Sequence, residues 1–200
     1  MNQLALFPKA KPGRARPVEP IARSAEVEGP YRYKLERAWG GGPAVGWILL
    51  NPSTADGQRD DPTCWEMMCH SLRLGFGSMV VVNVYPYITP DPKKLAVWRA
   101  RQEVIGWINA GAYQAFCHNA RRAARALDRV QTRIVAWGNN ADLRDVEDFM
   151  DRIATADPDD CEGEPIVWHC LGKTASGAPI HPLARGKHRI PNDQRLIAWK

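Results

Sequence analysis

The run Ala44-Val45-Gly46-Trp47-Ile48-Leu49-Leu50 stops dead at Asn51-Pro52, and no other feature constrains the fold as tightly. Seven successive apolar or small residues bounded by turn formers read as a strand buried on both faces. Pro52 has no N–H for a sheet ladder and drives Asn51 into an extended or turn conformation. The strand must end there. Its carboxyl end then presents Asn51, Ser53, Thr54 and Asp56 at the rim of a sheet, where open α/β sheets bind ligands.

The same grammar recurs downstream. Met79-Val80-Val81-Val82-Asn83-Val84 is a second buried strand, closed by Tyr85-Pro86-Tyr87. Arg133-Ile134-Val135-Ala136-Trp137 is a third, closed by Gly138-Asn139-Asn140, and residues 166–171 are a fourth. Tyr31 to Arg37 alternates large apolar and charged side chains, which predicts a half-exposed strand paired with residues 44–50 as an antiparallel edge hairpin. Asp61-Pro62 has the form of an N-cap followed by Pro at the first helical position. Trp65, Met68, Cys69 and Leu72 then fall at i, i+3, i+4 and i+7, giving a helix over 62–74. Further helices are expected over 97–108 and 111–128, and Asn140 is expected to cap a last one whose stripe is Leu143, Val146, Phe149, Met150 and Ile153. Strands alternating with helices predict a single-domain α/β three-layer sandwich, with a mostly parallel four- to five-stranded sheet and helices on both faces.

Two hundred residues suit one such domain. Residues 1–28, with Pro8, Pro12, Pro17 and Pro20, are expected to be a flexible basic arm, leaving 29–200 as the folded domain with a basic tail. Residues 1–20 carry no apolar core segment of a secretory signal, and no run approaches the ~20 apolar residues of a membrane span. Five scattered cysteines cannot all pair, which points to reduced thiols and a cytoplasmic protein. The net charge of +5 is uneven: residues 171–200 hold six Lys or Arg against Asp193 alone. A basic tail beside a near-neutral body makes nucleic acid the first candidate partner, with no membrane and no obligate protein partner expected.

Four polar clusters close apolar segments: Asn51-Pro52-Ser53, Asn83-Val84-Tyr85-Pro86, Trp137-Gly138-Asn139 and His181-Pro182-Leu183. If the strands run parallel, the first two and the last meet at one rim. A lone Asn or His at a strand end is an ordinary turn residue. Two amides and an imidazole together suit an uncharged ligand with hydrogen-bonding edges, such as a nucleobase.

The order strand–Asn-Pro, strand–Asn, strand–Trp-Gly, His-Pro resembles the uracil-DNA glycosylase superfamily. Asn51-Pro52 resembles the first motif of its mismatch-specific branch, Asn83 its base-reading Asn, and His181-Pro182-Leu183 its His-Pro loop. The longer string NPSTAD…DDPT…VNVY…AWG…GAPIHPL closely resembles the uncharacterised DUF1643 family of bacterial and phage domains, over roughly residues 30–185. The chain departs from the superfamily at Leu49, where Gly is usual, at Leu183, where Ser is usual, and at Ser53. There the relatives place a Tyr that walls off bulky bases. A pocket without that wall implies a modified pyrimidine rather than uracil, and some members of the superfamily act against phages with hypermodified DNA.

The resemblance implies a monofunctional DNA glycosylase without cofactor or metal, acting on DNA. A nucleotide flipped out of the stack would enter the rim pocket. Asn51 would position a water, assisted by Asp56 or Asp61, while His181 would stabilise charge developing on the departing base. Asn83 would hold the base edge, Tyr85 or Trp65 would stack on its face, and Ser53 would border its substituent. Leu183 would wedge into the vacated gap, with Thr54, Lys173, Arg185, Lys187 and Arg189 gripping the strand. An enzyme acting on free nucleotides or nucleosides, and a non-catalytic module that binds a modified base, are the alternatives. Gly172-Lys173-Thr174 is no phosphate-binding loop, because Val167 stands where its first Gly belongs. Cys64, Cys69 and His70 are wrongly spaced for zinc.

Overall fold

The computed structural model describes residues 19–104, 110–128, 130–155 and 167–199. Their strands are β1 (Ala22–Glu28), β2 (Tyr31–Ala38), β3 (Ala44–Leu49), β4 (Ser78–Asn83), β5 (Thr132–Val135), β6 (Trp168–Cys170) and β7 (Ile197–Ala198). They form one mixed sheet in the order β1-β2-β4-β3-β5-β6-β7. The central four, β4, β3, β5 and β6, pair in parallel, whereas β1, β2 and β7 join their neighbours antiparallel. The sheet is therefore wider and more mixed than the expected four or five mostly parallel strands.

Two differences follow from edge pairing. Residues 22–28, expected to belong to a flexible arm, form β1, while residues 1–18 lie outside the described residues. Small and charged side chains hide this strand from any hydrophobic pattern. It is held by ladder bonds to β2 and by Arg122, whose guanidinium meets Glu26 at 3.0 Å and Glu28 at 2.6 Å. The hairpin is also reassigned: β2 pairs with β1 and β4, never with β3. Strand β3 is apolar on both faces, so it takes the centre of the sheet between β4 and β5.

Helices cover both faces. Helix α1 (Pro62–Arg73) buries Cys64, Met67 and Met68 against Val45, Trp47 and Leu49. Helices α2 (Pro92–Val104), α3 (Ala110–Leu127) and α4 (Leu143–Thr155) cover the opposite core of Ile48, Val82, Val84 and Val135. Asp61 caps α1 as expected, its carboxylate accepting from the Cys64 N–H at 2.8 Å. The same Asp-Pro signal opens α2 at Asp91-Pro92, five residues before its expected start. Asp142, rather than Asn140, accepts at the start of α4, from the Arg144 N–H at 2.9 Å. No described helix is long and apolar enough to cross a membrane.

Helix α1 also buries His70, and burial, with Arg73 nearby, pushes its imidazole down to about 4. The unfolded chain, with His near 6.5, binds the extra proton first. Stability is thus expected to fall as pH drops from about 6.5 to 4, by up to ~3 kcal/mol from this residue. Urea midpoints at neutral and acid pH should show a smaller acid loss in His70→Gln than in the parent; equal losses would exclude the assignment.

Candidate functional site

A cavity of about 480 Å³ opens at the carboxyl ends of β3 and β4 and beside the end of β5. Asn51 and Ser53 reach it from the turn after β3, Asn83 is the last residue of β4, and Trp137 and Gly138 follow β5. His181 arrives by a detour. After β6 the chain makes a tight hairpin, with the Ile180 N–H donating to the Gly172 carbonyl and the Thr174 N–H to that of Ala178. The return leg docks on Gly138, whose N–H donates to the Pro179 carbonyl at 3.0 Å. Gly138 has φ +73°, and a Cβ there would stand 3.5 Å from that of His181. Three of the four polar clusters read from the sequence thus converge with the fourth at one rim.

The hydrogen bonds fix what each side chain offers. The Asn51 Nδ2 donates to the carbonyls of Pro52, at 3.0 Å, and Thr89, at 2.7 Å. Both N–H groups are engaged, so the amide presents its oxygen, an acceptor. Asn83 is turned the other way. Its Oδ1 accepts from Arg32 Nη2 at 3.3 Å, while its Nδ2 has no partner among the described residues. A guanidinium only donates, so the amide must place its oxygen there and present N–H donors. In His181 the Nδ1 accepts from the Leu183 N–H at 3.1 Å, leaving Nε2 to carry the proton of the neutral ring. Burial lowers the His181 imidazole below its ordinary value, against an opposing pull from Asp61, so the neutral form prevails at pH 7.

Asp61 joins them in the lining, its carboxylate also accepting from the Ala55 N–H at 3.3 Å. The Ala55 carbonyl in turn accepts from Arg32 Nη1 at 2.6 Å. Arg32 is 5% exposed, and its Nε has no partner among the described residues. Burial pushes its guanidinium down to about 10, so it stays cationic at neutral pH. The cavity therefore has an acceptor wall, Asn51 Oδ1 and the Asp61 carboxylate, and a donor set of Asn83 Nδ2, His181 Nε2–H and Arg32.

Other expected site residues lie elsewhere. Asp56 is exposed and does not line the cavity; its carboxylate accepts from the N–H groups of Gln58 and Arg59, which hold it below the usual carboxylate range. Tyr85 is buried on the α3 and α4 side, its hydroxyl donating to Asp145 Oδ2, and cannot reach a ligand in the cavity. Trp65 packs part-buried against the α1-side core and is not in the lining. The aromatic ring that does line it is Trp137. Thr54 is exposed outside the cavity, and the Lys173 ammonium donates to the Trp199 carbonyl. Leu183 is part-buried just past His181, Arg185 and Arg189 are exposed beyond it, and the Lys187 side chain lies outside the described residues. No cluster of three metal-ligating side chains occurs among the described residues.

Residues 32–183 match a family described as "Protein of unknown function (DUF1643)". The chain belongs to that family. The match begins at Arg32 and ends at Leu183, so it contains every residue of the cavity lining described above. No curated protein and no solved structure matches the chain.

Proposed function

We propose that the cavity takes a nucleobase flipped out of DNA and that the protein hydrolyses its N-glycosidic bond, the base being a modified pyrimidine. The observation that carries this reading is the division of the lining into an acceptor wall and a donor set. Hydrolysis at the anomeric carbon needs both. The attacking water must be held by acceptors, and the base must leave as an anion held by donors.

Asn51 Oδ1 accepts one O–H of the water and the Asp61 carboxylate accepts the other, taking up the proton as the new C–O bond forms. Asp61 is the better placed of the two candidate carboxylates, because Asp56 is outside the cavity. On the other side the glycosidic electron pair moves onto the base. His181 Nε2–H and Asn83 Nδ2–H donate to its oxygen and nitrogen acceptors, and the Arg32 charge behind Asn83 stabilises the anion in a largely buried setting. The imidazole works here as a neutral donor, consistent with its lowered proton affinity. Ser53 in the lining, where the glycosylase superfamily that the sequence resembles carries a blocking Tyr, leaves room for a bulky substituent such as that of glucosylated hydroxymethylcytosine. Antiviral defence against phages with hypermodified DNA is the setting this substrate implies.

The test is to incubate the protein with unmodified, uracil-containing, hydroxymethylcytosine-containing and glucosylated DNA and to develop abasic sites with alkali. Alkali-labile sites are expected only in modified-pyrimidine DNA. Tight DNA binding without any labile site would favour a binding module, and release from monomers alone a nucleoside enzyme.

A further inference from the structure

A second concavity, of about 310 Å³, lies on the outer side of α2 and is lined by Tyr87, Lys93, Lys94, Val97, Trp98 and Arg101. Its composition is unusual for a solvated helix face. Lys93, Lys94 and Arg101 are all exposed, and none pairs with a carboxylate among the described residues. Between them Val97 is 53% exposed. Tyr87 and Trp98 form the floor, their rings parallel within 1° and 5.4 Å apart. No residue of the expected DNA-gripping loop, from Leu183 to Arg189, takes part.

The helix also walls the cavity. Pro92, Leu95, Ala96 and Arg99 face it, while Lys93, Lys94, Val97, Trp98 and Arg101 face the groove. One helix, roughly 10 Å thick, therefore separates the two sites. From Lys93 to Arg101 the rise is about 12 Å, enough to follow roughly three phosphates of one strand.

We propose that this groove binds the nucleic-acid strand next to the base held in the cavity, with Lys93, Lys94 and Arg101 on its phosphates and the Tyr87–Trp98 floor under a base or sugar. The placement of the strand rests on the function proposed above; nucleic-acid binding by the groove does not. Unpaired cations alone suit any polyanion. Cations around an aromatic floor suit one that carries flat rings as well, and among biological polyanions that is a nucleic acid. An acidic peptide would use the charges and leave the aromatic floor idle.

The experiment measures binding of a labelled, unmodified oligonucleotide, single-stranded and duplex, by fluorescence anisotropy across a salt series. The triple variant Lys93→Glu/Lys94→Glu/Arg101→Glu changes only exposed side chains. Its affinity is expected to fall about 100-fold or more at low salt, and the slope of log K against log salt to drop by about two to three. Val97→Arg should act in the opposite sense, tightening binding several-fold and steepening the slope by roughly one contact. Unchanged affinity and slope in both variants would overturn the proposal. Competition by polyglutamate as effective, charge for charge, as unlabelled oligonucleotide would overturn it too. Base release assayed in parallel separates the two ideas. Release by the parent protein, with unchanged binding in the triple variant, removes the groove and keeps the reaction. Loss of binding in the triple variant, with no release by the parent protein, keeps the groove and removes the reaction.

Discussion

Arg37→Leu is expected to destabilise the protein by roughly 3–5 kcal/mol, against the ~5–15 kcal/mol that holds a domain of this kind folded. Arg37 sits on β2 at 1% exposure and is the centre of a buried network. Its Nε donates to Asp60 Oδ1, and its other nitrogens to the carbonyls of Ser24, Glu36, Asp56 and Arg59. Leucine would leave four carbonyls short of a donor and the Asp60 carboxylate, itself 1% exposed, with only Arg23 and the Cys64 thiol. A buried charge stripped of its partner costs far more than the pair contributes, and that asymmetry gives the prediction its size.

The double variant Arg37→Leu/Asp60→Leu should recover part of the loss by removing the orphaned charge. Acid provides a second check. Burial pushes the Asp60 carboxyl up, but hydrogen bonds from Arg37, Cys64 and Arg23 outweigh it and hold it below the usual carboxylate range. In the parent, this contribution is present above the unfolded pKa near 4 and is lost as pH falls through the lower folded value. In Arg37→Leu, burial prevails and the sign reverses, so the gap between variant and parent should narrow as pH falls. Urea midpoints read both effects; a single variant within 1 kcal/mol of the parent would exclude the account. Function should suffer with stability, because the loop that Arg37 ties down carries Ser53 and ends at Asp61.

The parts of the site that could be read from sequence are those decided locally. An apolar run ending in Asn-Pro, or in Asn alone, marks the carboxyl end of a buried strand whatever the neighbours do, which located Asn51 and Asn83. The Asp61 cap was legible for the same reason. Arg32 was not. Strict alternation along β2 sets Arg32 opposite Leu35, facing outward. In the structure the β1–β2 register shifts: Glu26 pairs with Lys34 but Val27 with Arg32, leaving Tyr33 as the extra residue of a bulge. The bulge turns Arg32 to the same face as Leu35, into the cavity. Nothing in the residues 31–37 signals a bulge, since it depends on pairing with β1, whose own sequence is nearly silent. Tyr85 failed in the reverse sense. Two positions after Asn83, it would share its face in a continuing strand. But β4 ends at Asn83, the chain bends, and Tyr85 follows Val84 into the opposite core.

On the proposed function, His181→Ala and Asn51→Ala should each lower base release from modified-pyrimidine DNA by about 10²–10³-fold, the usual effect of removing one preorganised group at a site of developing charge. The two losses have different origins. In the proposed reaction His181 Nε2–H acts on the leaving base, so its removal should lower kcat and kcat/KM together. In the same proposal Asn51 Oδ1 acts on the water, a role that depends on the two backbone carbonyls that engage the amide nitrogen. Asn51→Asp, which keeps an acceptor but sets a carboxylate against those carbonyls, should therefore recover little. The pH profile tests the protonation state directly. A neutral imidazole with proton affinity below the ordinary value predicts a rate that does not decline as pH rises from 6.5 to 8, its loss lying on the acid side. An imidazolium catalyst would lose activity as pH rises through that same range. Full activity in both alanine variants would remove these two residues from the reaction, and a rate that declines from pH 6 to 8 would remove the neutral donor from its mechanism.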